Sequence, residues 1–152
     1  MTNQPLEIKV AIQISKPVSE VFEAIVDPDK MSNYFISKSN GRMETGKALI
    51  WHWPEFDQGS EVLVDKIEND KYISFTWGGE QGTTNPVEIT LLTTQTGATK
   101  VTIIERGGNN DEAGITWLKG NTEGWANFLA CLKAYLEYGI NLRKGAFDFM
   151  KA

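Results

Sequence analysis

The sequence predicts an α+β domain: a curved antiparallel sheet of six to seven strands, packed by one long helix near the C-terminus, with two short helices after the first strand. Three observations carry that prediction. From Lys47 the chain alternates apolar and polar residues for about sixty positions, interrupted only by short turn-forming stretches. A single segment, Asn121 to Gly139, sustains a helical rhythm over a long span. The elements are also segregated, strands together and helices apart, whereas a parallel sheet would need them to alternate.

The first strand is Leu6 to Ser15, with Ile8, Val10, Ile12 and Ile14 on one face and Glu7, Lys9, Ala11 and Gln13 on the other. Pro17 suits a first helical turn, and Val18, Val21, Phe22 and Ile25 follow at helical spacing. That helix stops at Asp27-Pro28, because a residue before proline avoids the helical region. Asp27 then caps a second short helix bearing Met31, Tyr34 and Phe35. Asn40-Gly41 reads as a turn. Leu49, Trp51 and Trp53 share one strand face, and Pro54 ends the run. Val62 and Val64, then Ile73, Phe75 and Trp77, then Val87, Ile89 and Leu91, then Val101, Ile103 and Glu105 mark the inner faces of four further strands. Asn69-Asp70-Lys71 and Thr96-Gly97 supply tight connections, and Gly78 to Asn85 reads as a polar hairpin loop. In the long helix, Trp125, Phe128, Leu129, Leu132, Tyr135 and Leu136 form an apolar stripe. Asn121 or Thr122 is the expected cap at its start and Gly139 the left-handed residue at its end. Ile115, Trp117 and Leu118 mark a partly helical or packed link before it, and the acid pair Asp111/Glu112 looks like a helix start. The last stretch, Ile140 to Ala152, carries Phe147, Phe149 and Met150 without a readable period.

A chain of 152 residues is expected to form a single domain, 1–152, with one core. The net charge of −5 and the scattered basic residues argue against nucleic-acid binding. There is no basic start followed by an apolar run and no apolar stretch of membrane-spanning length, so a soluble, cytoplasmic protein is expected. The one cysteine, Cys131, allows no internal disulfide, and no metal-ligand spacing is present. No cofactor or metal is therefore expected.

Four stretches, ISKPVSEVFEAIVDPDKMSNYF, DKIENDKYISFTW, TKVTIIERG and GWANFLACLKAYLE, resemble the family of activator of heat-shock protein 90 ATPase homologues. That family lies within the START-like (SRPBCC, birch-pollen-allergen-like) superfamily. The resemblance spans about residues 6–140 and implies the helix-grip fold, a curved sheet wrapped around the C-terminal helix, often with an elongated apolar cavity between them.

The expected cavity lining is Tyr34, Phe35, Trp51, Trp53, Phe75, Trp77, Glu105, Trp125, Phe128 and Leu132. Strand alternation and the helical stripe point most of these into one interior, which ordinary core packing could equally fill. Glu105 shares its face with Val101 and Ile103 and so needs a partner or water. Arg106 falls on the opposite, outer face. His52, the sole histidine, opposes the Trp51 and Trp53 face. Cys131 lies beside the stripe as a small buried residue. The glycines at Gly78, Gly79 and Gly82 lack the lysine of a phosphate loop. No catalytic set is recognisable. The leading expectation is a binding protein, not an enzyme, holding a lipid, polyketide or flavonoid-like ligand. Two alternatives stand beside it: a protein-interaction module related to chaperone ATPase activators, with a chaperone or other protein as partner, and a cyclase-like enzyme using Glu105, with Tyr34 or Tyr135 as hydroxyl donor.

Overall fold

A computed structural model describes residues 4–79 and 82–151. Its elements run β1 (Leu6–Ile14), α1 (Val18–Val26), α2 (Pro28–Met31), β2 (Lys38–Ser39), β3 (Ala48–His52), β4 (Ser60–Glu68), β5 (Tyr72–Gly78), β6 (Thr84–Thr93), β7 (Thr99–Gly107) and α3 (Glu112–Tyr138). The strands form one antiparallel sheet in the order β1-β7-β6-β5-β4-β3-β2. Strands β2 to β7 make a meander, and β1 extends it by pairing with β7. A register shift between Val64 and Lys66 on β4 leaves an extra residue in that strand, which bends the sheet.

One sheet face is apolar and buried on every long strand: Ile8 and Ile14, Val62 and Val64, Ile73 and Phe75, Ile89 and Leu91, Val101 and Ile103. α3 meets that face with Trp125, Phe128, Leu129 and Leu132, all buried. Each such side chain contributes about 1.5–3 kcal/mol by leaving water. α3 lies along β1, with further contact to α1 and β7. The sheet therefore grips the helix, as the helix-grip expectation requires. Asp27 ends α1 and caps α2, its carboxylate accepting from the Asp29 N–H at 2.9 Å. Among the described residues, no helix is long and apolar enough to cross a membrane.

α2 ends at Met31 and β3 at His52, so Tyr34 and Phe35, and then Trp53, fall just beyond the elements expected to carry them, and two further boundaries differ from the sequence expectation. α3 begins at Glu112, not at Asn121, and runs 27 residues, about 40 Å. Asp111 is its cap, accepting from the Gly114 N–H at 2.8 Å. Gly114, Gly120 and Gly124 depress the local helix propensity and mask the first turns, but packing of Trp117 and Trp125 overrides them. Asn121 and Thr122 are thus inside the helix; the Thr122 hydroxyl donates back to the Leu118 carbonyl. Gly139, at φ 66°, ends the helix as expected. The second difference is Asn85. It belongs to β6, opposite Trp77, and is 2% exposed, so the hairpin loop is shorter than Gly78 to Asn85. Glu80 and Gln81, at the tip of that expected loop, lie outside the described residues.

Asn85 is seated between two glycines. A Cβ on Gly107 would lie 2.2 Å from the Asn85 Oδ1, and one on Gly79 would lie 2.5 Å from it. Gly107→Ala is expected to lower stability by about 1–3 kcal/mol through that clash, measured by thermal or urea unfolding.

Candidate ligand-binding cavity

Between α3, the sheet and the C-terminal segment an open cavity of about 420 Å³ remains, within the usual range for small-molecule sites. Its apolar wall is Tyr34 and Phe35 after α2, Trp53 after β3, Trp77 on β5, and Trp125 and Phe128 on α3. The rings brace one another edge to face. Phe35 meets Phe128 at 4.7 Å and Trp53 at 5.4 Å between centroids, and Trp125 lies 5.3 Å from Phe128. Such contacts add about 0.5–1.5 kcal/mol each beyond the area they bury. The Tyr34 hydroxyl is turned away from the space and donates to the Ala24 carbonyl at 2.8 Å. Burial pushes its pKa well above the usual phenol value.

Six of the ten residues expected at the lining are there. The other four stand behind it. Trp51 and Phe75 pack 5.4 Å apart and support the rings of Trp53 and Trp77. Leu132 is fully buried between helix and sheet. Glu105 is 0% exposed and lies behind Trp77 and Trp125.

The surroundings of Glu105 explain the shape of the wall. Alternation along β7 puts its side chain on the inner face, between Ile8 of β1 and Val87 of β6. There it accepts four hydrogen bonds. Oε2 takes the Trp77 indole N–H and the Asn85 amide, both at 3.0 Å. Oε1 takes the Trp125 indole N–H at 2.8 Å and the Asn121 amide at 3.2 Å. A carboxylate is an acceptor-only group with room for about four donors, so the site is satisfied without a basic partner. Because both indole N–H groups point at Glu105, Trp77 and Trp125 present their apolar rings to the cavity.

No periodic pattern in the sequence reveals the mouth. The segment after Gly139 folds back so that Arg143, Phe147, Phe149 and Met150 line the cavity together with Glu55 and Phe56 from the β3–β4 connection. Arg143 binds Glu55 through both terminal nitrogens, at 2.7 and 3.2 Å, and its guanidinium lies 4.9 Å from the Phe147 ring centroid. Polar residues Gln58, Ser60, Asn121, Glu123 and Asn127 complete the rim. The one signal for this segment in the sequence is a cluster of aromatics beyond a helix-ending glycine. His52 is on neither the wall nor the rim, and Arg106 is outside, paired with Glu7 and Glu88. Among the described residues, no group of three or more His, Cys, Asp or Glu could hold a metal ion.

The sequence profile of the "Activator of Hsp90 ATPase homolog 1-like protein" family matches residues 15–137. The chain belongs to that family. Protein SSP2350 of Staphylococcus saprophyticus is similar in structure at 33% identity, with a TM-score of 0.79, covering 90% of this chain and 96% of its own. DynU16, from the dynemicin biosynthetic locus, is 26% identical with a TM-score of 0.78; the match covers 89% of this chain and 48% of DynU16. The Aha1 dimer of Colwellia psychrerythraea, at 18% identity and a TM-score of 0.75 over 88% of this chain and 98% of that one, shares the fold. No curated protein matches the sequence. This family fold is consistent with a ligand-binding or an interaction module.

Two measurements test the construction of the wall. Glu105→Gln turns an amide N–H₂ toward a pair of donors and is expected to cost about 2–4 kcal/mol, read by thermal unfolding. Cys131 lines the cavity, and burial pushes its thiol above the usual range, the nearby Arg143 opposing this in part. Since only the thiolate reacts, alkylation of Cys131 is expected to lag a free thiol near neutral pH and keep rising at pH values where the free thiol has levelled off, followed by mass spectrometry.

Proposed function

We propose that this protein binds a small, mostly apolar molecule of the lipid, polyketide or flavonoid-like kind in the cavity between the sheet, α3 and the C-terminal segment. The observation that carries this reading is that six aromatic rings of the wall converge on about 420 Å³ of space without filling it. A core under no functional constraint closes such space, because each void costs packing energy. The similarity to a protein of a biosynthetic locus, DynU16, also supports a small-molecule role.

The reading is of a binder without chemistry of its own. Four hydrogen bonds to Glu105 support a positioning role for that carboxylate, and they oppose the acid–base role that a cyclase-like mechanism would give it. The commitment of the Tyr34 hydroxyl to Ala24 weighs the same way.

A heteronuclear NMR titration with lipids and aromatic compounds is expected to shift the indole resonances of Trp53, Trp77 and Trp125 and leave Arg106 unmoved. A library that moves none of them would end the proposal. Gly124→Leu provides the control. Gly124 lines the cavity, and a Cβ at that position would meet no atom within 4 Å. Leucine there is expected to raise helix stability by up to about 1 kcal/mol while blocking ligand, so binding and folding separate.

A further inference from the structure

The charge of the ligand follows from how the polar groups of the cavity are already engaged. This rests on the ligand-binding reading above. Two ionised side chains that line the cavity are themselves largely shielded from water, Glu55 and Arg143 at its mouth, and they neutralise each other. Their side chains are 3% and 14% exposed, and the pairing is bidentate. The wall carries no ionised group of its own: the indole N–H groups of Trp77 and Trp125 are held by Glu105, which is itself behind the wall, and among the described residues the Trp53 indole is left as a neutral donor that cannot pair an ion. Glu123 is at the exposed rim, where water screens it.

We propose that the Glu55–Arg143 pair makes this cavity select uncharged ligands. An anion brought beside Arg143 must displace Glu55 and leave a nearly buried carboxylate without a partner. A cation beside Glu55 orphans the guanidinium in the same way. Either ligand also gives up its own hydration against an apolar wall, and those losses exceed what one exchanged ion pair returns. An uncharged ligand disturbs neither group. The pair is therefore the specificity-determining feature, and removing one member changes the charge the cavity prefers. Without Glu55, Arg143 is a free cation at the wall; without Arg143, Glu55 is a free anion.

The test uses two dyes with the same ring system, uncharged N-phenyl-1-naphthylamine and anionic 1-anilinonaphthalene-8-sulfonate, in fluorescence titrations at fixed ionic strength. The unmodified protein is expected to bind the uncharged dye at least about tenfold more tightly. Glu55→Gln is expected to tighten the sulfonate by about tenfold or more, and Arg143→Gln to do the same for a cationic naphthyl-alkylamine. The double variant, with both charges gone, is expected to return to the unmodified preference. It also guards against misfolding of either single variant, because it leaves no orphaned charge. If neither dye binds, the ligand cavity itself is refuted and this inference falls with it. If both dyes bind the unmodified protein equally, or the single variants leave the charge preference unchanged, the cavity stands and the charge assignment is overturned.

Discussion

The arrangement of this protein depends on one buried carboxylate. Glu105 has no exposure to solvent, and its desolvation would cost several kcal/mol if it stood alone. Four N–H donors meet it, and hydrogen bonds to a charged group are worth about 1.5–3 kcal/mol each, enough to offset that cost. The donors come from three different elements, β5, β6 and α3, and the acceptor from a fourth, β7. A hydrophobic contact would let α3 slide or settle onto the sheet. These directional bonds fix it at a set distance, with Trp77 and Trp125 held 5.2 Å apart between ring centroids. The clamp holds those two rings against each other as one continuous apolar wall, and the open space lies beyond them.

Much of the architecture is legible in the residues because it rests on period. Alternation on the strands and the stripe from Trp125 to Leu136 specify the sheet, the helix and their facing surfaces. Asp27 before Pro28, and Gly139 at the helix end, act through local backbone chemistry and are readable for the same reason. The start of α3 is readable only in part: the acid pair Asp111/Glu112 marks it, as the structure bears out, but Gly114, Gly120 and Gly124 weaken the helical signal between that pair and Asn121, and tertiary packing restores it. Asn85 is hidden differently. A polar residue beside glycines reads as a turn, and nothing short of the fold shows that its amide is needed 20 residues away, at Glu105.

The aromatic part of the site is readable in outline and the polar part is not. Alternation predicts which rings face inward, but it cannot say which of two inward residues reaches open space. Trp53 and Trp77 do, while Trp51 and Phe75 form the layer that props them. Glu105 is correctly directed inward by its strand, but its distance from the cavity is set by indole side chains whose orientation no periodic pattern encodes. The C-terminal segment is silent for a physical reason. Among the described residues its backbone hydrogen bonds are short-range, such as Ala146 to Arg143 and Met150 to Phe147 at a single 3-10 turn, Asp148–Met150, and its place over the cavity is fixed by Arg143 and its aromatic side chains.

The seat of Asn85 ties distant positions together. Its side chain is wedged against two residues that have none, and its amide feeds the carboxylate of β7, so Gly79, Asn85, Glu105 and Gly107 form one steric and electrostatic unit. A larger residue at either glycine evicts the amide; a shorter acid on β7 leaves it stranded. The four positions are therefore coupled, and a change at one alters the space or the donor available to the others.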